Sequence, residues 1–249
     1  MLARQRRLPT VVTIHGASFL PFARSRPRLA ARVLRHADLI TCLDPDVAEM
    51  ARTMAPDARV EVVPNPVPLY SAIAPADQTA EVVLFAGEIG ARKGADVLCR
   101  AWEIVARERT EARCILAGPR TNLEIPGLER LEIRPPVGRE EMLALLASAR
   151  VVALPSRAEG MPMTLTEAMS AGRPFVATPV GGIPALAAGG GGTLVPVGDA
   201  DALAQKLIEF LAEPALARRY GEKGRGFCAD TRSVEIIDAR LRELYSSVR

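Results

Sequence analysis

Four residues of this 249-residue chain have the types and settings for chemistry on a charged, hydroxyl-rich ligand: Glu159, Glu167, Lys93 and His15. The two carboxylates belong to VVALPSRAEGMPMTLTEAMSAG, Val151 to Gly172. There an apolar run (Val151, Val152, Ala153, Leu154) stops at Pro155, a polar loop carries Glu159, Gly160 and Pro162, and a helical pattern begins at about Thr164. Strand, loop and helix in that order put the loop at the carboxyl end of a strand, where loop amides and a helix N-terminus hold anionic oxygens. A carboxylate repels phosphate but accepts hydrogen bonds from sugar hydroxyls, so the pair suits a hydroxyl-bearing ligand. The competing account is structural: Thr164-x-x-Glu167 has the form of a capping box, in which Glu167 only satisfies helix amides.

Lys93 lies in EVVLFAGEIGARKGADVLCRAWEIV, which reads as a strand (Val82 to Ala86), a turn punctuated by Gly87, Gly90 and Gly94, and a helix. Glycines let the backbone come close to a phosphate, and the lysine supplies a point charge at the helix entrance. The spacing is neither a Walker A loop nor the GxGxxG dinucleotide fingerprint. His15 ends TVVTIHG, Thr10 to Gly16, a strand expected to be buried and to turn on Gly16.

The remaining elements position these residues. DLITCL (Asp38 to Leu43) is a strand followed by a helix capped by Asp44 with Pro45 at its first position, and RVEVVP (Arg59 to Pro64) is a third strand. NPVPLYSAIAPADQTA, Asn65 to Ala80, has no apolar period and reads as a linker. Beyond it, ARCILAGPR ends a strand at Gly118, and LEIRPPVGREEMLALLASA gives a strand and an amphipathic helix from about Arg139. RPFVATPVGGIP supplies another strand and the paired glycines Gly181 and Gly182. Gly189 to Gly192 reads as a flexible turn, and three helical segments follow from Asp199.

Composition excludes several classes. Hydrophobic residues make up 49%, enough for one large core or two small ones. No apolar run approaches the ~20 residues that span a bilayer, and MLARQRRLP lacks the apolar segment of a signal peptide, so a cytoplasmic protein is expected. Cys42, Cys99, Cys114 and Cys228 are scattered and read as buried free thiols, with no disulfide or metal site expected. A net charge of +3 and 4% aromatic residues offer nucleic acid neither a basic patch nor stacking platforms. ASFLPFARSRPR mixes Phe19, Leu20 and Phe22 with Arg24, Arg26 and Arg28, which suits peripheral contact with a membrane or an anionic acceptor, with an ordinary solvated loop as the alternative.

The string PSRAEGMPMTLTEAMSAGRPFVATPVGGIP resembles the signature of the retaining family-4 glycosyltransferases, GT-B enzymes that use nucleotide-sugar donors. The resemblance implies an α/β protein of GT-B fold: a complete C-terminal Rossmann-like donor domain with a parallel sheet, and a partial N-terminal one. It implies that Glu159 faces the donor sugar and Glu167 holds the ribose, with Gly160, Met161 and Pro162 also on the donor. By the same resemblance Lys93 serves the diphosphate, Val137 the base through its backbone, Gly87 the donor turn, Gly181 and Gly182 the donor through their amides, and His15 the sugar and its acceptor. Catalytic roles fall on His15 and Glu159; no metal and no further cofactor are implied.

Two positions depart from the family pattern. Glu88 stands where the family has Arg, and Ala185 where it has Glu. A Glu ~5 Å from a diphosphate charge would cost roughly 3 kcal/mol at an effective dielectric near 20. Glu88 then turns away, pairs with a neighbouring Arg such as Arg92, or marks a degraded site; pairing is the expected outcome, with Arg92 and Lys93 together neutralising the donor. The expected organisation is a partial acceptor-side domain (1–64), a linker (65–80), a donor domain (81–228) and a terminal helix (229–249) returning to the first domain. About three strands are too few for that first domain, so more sequence, a second chain or a dimer is expected to complete it. Its partners would be a nucleotide sugar and a carbohydrate or glycolipid acceptor.

Overall fold

The computed structural model describes residues 8–16, 18–70 and 73–248; the basic start Met1 to Arg7 lies outside the described residues. In chain order the elements are β1 (Val11–Ile14), α1 (Phe19–Ser25), α2 (Pro27–Leu34), β2 (Leu39–Cys42), α3 (Pro45–Met54), β3 (Arg59–Val62), β4 (Val82–Ala86), α4 (Ala95–Glu108), β5 (Arg113–Ala117) and β6 (Leu131–Arg134). They continue with α5 (Arg139–Ser148), β7 (Val151–Leu154), α6 (Met163–Ser170), β8 (Phe175–Ala177), α7 (Ile183–Ala188), β9 (Gly192–Leu194), α8 (Ala200–Ala212), α9 (Pro214–Thr231) and α10 (Val234–Ser246). Two compact units result. One takes the chain up to Pro66, with Glu159–Met161 and Thr231–Arg249; the other takes Val67–Ala158 and Pro162–Asp230.

The first unit is built on a parallel sheet of order β1-β2-β3. Successive residues of a strand face opposite sides, and β2 buries both. Ile40 and Cys42 join Leu34, Val47, Ala48 and Ala51, whereas Leu39 joins Val63, Ile237 and Leu244. The second cluster brings α10 onto the sheet, where Arg240 also reaches Glu61 at 2.9 Å. Asp44 caps α3 through Val47 N–H at 3.0 Å with Pro45 at the first position, as its sequence predicts. The expectation of a buried β1 fails: Val11 and Val12 are half-buried and Thr13 exposed, because β1 is an edge strand. Of ASFLPFARSRPR, for which a solvated loop was the alternative, Phe19–Ser25 is helical, and the stretch from Pro27 forms a helix as its pattern predicts.

The second unit holds a parallel sheet of order β6-β5-β4-β7-β8-β9. Strands β4 and β7 are buried throughout, as purely apolar runs covered on both faces must be. Helix α4 packs on α8, and Trp102, fully buried, donates from its indole to the Glu129 carbonyl at 2.9 Å. Proline- and alanine-rich Asn65 to Ala80 is less free than its composition suggests. A 3-10 turn covers Ala76–Gln78, and two buried arginines bind the segment. Arg173 donates to Ala74 O at 2.6 Å and Leu146 O at 2.8 Å, and Arg150 to Thr79 O and Leu211 O. Burial without a carboxylate partner pushes Arg173 down to about 10.

The Gly189 to Gly192 run is the clearest correction. A flexible turn was expected, but a Cβ on Gly191 would lie 2.8 Å from Met169 and 3.0 Å from the Gly224 Cα, and one on Gly192 would meet Phe175. These glycines are small because α9 and β8 press on them.

Candidate functional site

The order of the second sheet fixes where a ligand can sit. From β4 the chain steps outward through β5 to β6, then returns to the other side of β4 for β7, β8 and β9. Loops that leave β4 and β7 therefore diverge at the carboxyl ends of these paired strands, the position at which open α/β sheets bind ligands. Both carry residues singled out by the sequence.

After β4 the chain passes Gly87 (φ +145) and Glu88, makes a 3-10 turn over Ala91–Lys93, and enters α4 through Gly94 (φ +77). Glu88 pairs with Arg92 at 3.5 Å, the remedy expected for an acid in this turn; both side chains are exposed, so the pair is loosely held. After β7, Arg157 N–H donates to Arg92 O at 2.9 Å, and its guanidinium forks onto Asp96, 2.7 Å to each oxygen. Burial is tight where Gly94 meets Pro155, whose carbonyl leaves no room for a Cβ. The turn that bears Lys93 is thus fixed by the loop after β7.

Helix α6 starts at Met163 with Pro162 as its cap residue, and no side chain caps it. The capping-box account of Thr164 and Glu167 is overturned: Thr164 Oγ1 donates instead to Ala86 O, at the end of β4, at 3.1 Å. Glu167 is half-buried one turn into the helix, and burial raises its carboxyl above the ordinary range, with the Arg139 charge opposing. Arg139 is the first residue of α5, directly after Val137 and Gly138, so the loop after β6 faces the same place. Gly181 (φ +56) and Gly182 precede α7; their loop is held to the loop after β7 by Thr178, whose hydroxyl donates to Ser156 O.

Gly87, Arg92, Lys93, Val137, Pro162, Gly181 and Gly182 accordingly lie on loops after β4, β6, β7 and β8 of one sheet, and Glu167 lies in the helix that follows the β7 loop. Glu159, Gly160 and Met161, expected in the donor domain, are grouped with the first unit. His15 belongs to that unit too, exposed immediately after Ile14 at the carboxyl end of β1. Among the described residues no group of three or more His, Cys, Asp or Glu could hold a metal ion.

A family model described as glycosyl transferases group 1 matches residues 80–213, more than half of the chain. The chain belongs to the group 1 glycosyl transferases. A second model, glycosyltransferase family 4, matches residues 1–70. The chain is 38% identical over 162 residues to a D-inositol 3-phosphate glycosyltransferase of Streptomyces avermitilis, covering 58% of this chain and 35% of the relative. It is 29% identical to a GDP-mannose-dependent alpha-(1-6)-phosphatidylinositol monomannoside mannosyltransferase of Mycolicibacterium smegmatis, over 94% of this chain and 68% of that protein. Against the inositol-phosphate enzymes the chain spans from about a third to about half of their length. Among solved structures, Anabaena HepE in complex with UDP and glucose superposes with a TM-score of 0.79 at 19% identity, covering 98% of this chain and 73% of HepE. That likeness establishes the GT-B type of fold, two Rossmann-like sheets, for the group 1 transferase.

Sequence reasoning missed Arg157, Asp96 and Arg139. Arg157 lies inside the motif it did read, but only the fold shows that its side chain crosses to α4. Arg139 was seen as a helix start, without its charge being linked to Glu167.

Proposed function

We propose that the second unit binds a nucleoside-diphosphate sugar at the carboxyl ends of β4 and β7, and that the whole protein transfers the sugar, with retention and without a metal, to a carbohydrate or glycolipid hydroxyl. That the loops bearing these residues all leave the carboxyl edge of one parallel sheet, on either side of its switch point, carries this reading. The diphosphate would lie against Lys93, Arg92 and the N-terminus of α4, where a helix dipole and loop amides replace a metal's charge. Glu167 would take the ribose hydroxyls, Val137 and Gly138 the base, and Gly181 and Gly182 the donor through their amides.

Transfer follows from the same charges. As the C–O bond to the diphosphate breaks, the sugar becomes oxocarbenium-like and the leaving oxygens gain charge beside Lys93. The acceptor hydroxyl attacks from the face the diphosphate leaves, and its proton passes to the departing phosphate oxygen. Glu159 and His15 orient the sugar and acceptor. The phosphatidylinositol mannoside named for the mycobacterial relative supports a glycolipid among acceptors. HepE holding UDP and glucose supports the donor class.

The finer partner readings concern the first unit. Of the apolar anchors expected here, Phe19 and Leu20 instead pack against the first core, but Phe22, with Leu29 and Val33, is exposed beside Arg24, Arg26, Arg28 and Arg32, and a peripheral contact with anionic lipid is proposed there. Absence of sedimentation with anionic vesicles at low salt would end that part. The outer edge of β1 is where further polypeptide, a second chain or a second copy would extend the sheet. A rival reading, donor binding without transfer, is favoured by Glu88 in the turn that meets the diphosphate.

Calorimetric titration with each nucleoside diphosphate tests binding, and release of nucleoside diphosphate from a panel of nucleotide sugars tests transfer. Binding by wild type that weakens in Lys93→Ala and Glu167→Ala supports the site. Wild-type chain that binds no nucleoside diphosphate refutes it, and binding without release selects the rival.

A further inference from the structure

The turn that would receive the diphosphate also carries a carboxylate. Asp96 lies in the first turn of α4, where a negative charge stabilises the free helix but competes with any anion drawn to the same dipole. It is held by a residue from another loop. Arg157 Nη1 and Nη2 each reach one Asp96 oxygen at 2.7 Å, in the two-pronged geometry that makes an arginine–carboxylate pair strong. The same guanidinium donates to Ala91 O, and Arg157 N–H donates to Arg92 O at 2.9 Å. Arg100 adds only a longer contact to Asp96, 3.5 Å. Arg157 therefore presents its cation to the acidic residue of the first turn of α4 while holding two consecutive carbonyls, those of Ala91 and Arg92, just before Lys93.

We propose that Arg157 is a positioning residue of the donor site, cancelling the Asp96 charge at the entrance of α4 so that a diphosphate can occupy that entrance. It acts through Asp96 and does not touch the ligand. The inference rests on the donor-binding reading above and adds a role that the motif alone does not assign. Asp96 has two states in this scheme. Paired, it stabilises the helix and is electrically silent toward the ligand; unpaired, it is a fixed negative charge in an anion site.

The test compares binding of the nucleoside diphosphate that wild type prefers with binding of its parent nucleoside, by calorimetry on the full chain. Arg157→Ala should weaken the diphosphate by about tenfold or more, equivalent to about 1.4 kcal/mol per decade, and leave the nucleoside unchanged. Asp96→Asn alone should bind the diphosphate at least as tightly as wild type, because it leaves the Arg157 cation uncancelled, and Asp96→Asn combined with Arg157→Ala should recover most of the loss. A residue that only staples two loops would show no such rescue, since the double variant lacks the staple as fully as the single one. The proposal is overturned if Arg157→Ala binds like wild type, if it loses nucleoside and diphosphate alike, or if the double variant stays as weak as the single. Arg157→Gln serves in the same comparison if Arg157→Ala does not fold. Wild type that binds no nucleoside diphosphate refutes the donor-binding reading itself; an indifferent Arg157 in a chain that does bind refutes only this inference.

Discussion

Gly94 and Pro155 touch across the switch point of the larger sheet: the Gly94 Cα stands so close to the Pro155 carbonyl that no side chain fits between them. Gly94 also holds φ +77, a left-handed conformation that costs an L side chain about 1–2 kcal/mol. Gly94→Ala must both strain the backbone and push β7's loop away from the Lys93 turn. An overall destabilisation of about 3 kcal/mol is expected from these two effects, measured as a shift in urea midpoint at constant slope. A variant within about 0.5 kcal/mol of wild type, the range of an unremarkable surface change, would show that the two loops are not locked here.

Glu167 should trade stability against binding. Burial raises its carboxyl pKa in the folded protein above the ordinary 4.5, with Arg139 opposing. The sign follows from linkage: the native state holds this proton more tightly, so its contribution is full below the unfolded value and lost as pH rises through the folded one. Glu167→Gln should therefore be more stable than wild type at pH 7, and the gain should vanish near pH 4. The same variant should bind nucleoside more weakly. Equal urea midpoints at pH 7 would contradict the burial argument. Asp96 has the opposite sign, because its Arg157 partner lowers its pKa below 3.8. Its stabilisation is present above that value and lost as pH falls, so Asp96→Asn should be the less stable protein at pH 7 and equal to wild type in acid.

The four cysteines should be inert in the native protein. All are buried, burial chiefly pushes Cys42 and Cys99 up to about 11, and it raises Cys114 well above the ordinary thiol value. Reactive thiolate is then scarce at pH 8. A chromogenic disulfide should titrate four thiols in denaturant and react only slowly without it. Rapid native reaction of any one would place a thiol in solvent that the fold keeps inside.

What the sequence disclosed depends on whether a residue acts through its neighbours in the chain or across space. Apolar runs such as Val82 to Ala86 and Val151 to Leu154 announced the strands, and Asp44-Pro45 announced a helix start, because those effects are local. Lys93 and Glu167 were legible as candidates because each sits beside a strand end that its own segment defines. The bond from Thr164 to Ala86 spans 78 positions and turned an apparent capping box into a tie between helix and strand. The Arg157 fork onto Asp96 spans 61, and no periodicity records it. Nothing local to Arg173 marks it; only the fold shows it fully buried among carbonyls.

Glycines of α9 offer a comparison within a single helix. Gly221, Gly224 and Gly226 all lie inside Pro214–Thr231, where replacing glycine by alanine ordinarily stabilises by about 1 kcal/mol. Their surroundings differ. A Cβ on Gly221 would overlap the Gly172 carbonyl, one on Gly224 would stand 2.9 Å from the Gly191 Cα, and one on exposed Gly226 meets nothing within 4 Å. Gly226→Ala should gain the full helix preference. Gly221→Ala should lose about 2 kcal/mol or more, because backbone, unlike a side-chain tip, does not yield without moving the strand behind it. Gly224→Ala should fall between them, since Met169 can shift but Gly191 cannot. Thermal or urea unfolding of the three variants checks the order. If Gly221→Ala proved as stable as Gly226→Ala, α9 would not be seated on the loops before β8 and β9, and the close packing assigned to Gly189 to Gly192 would fail with it.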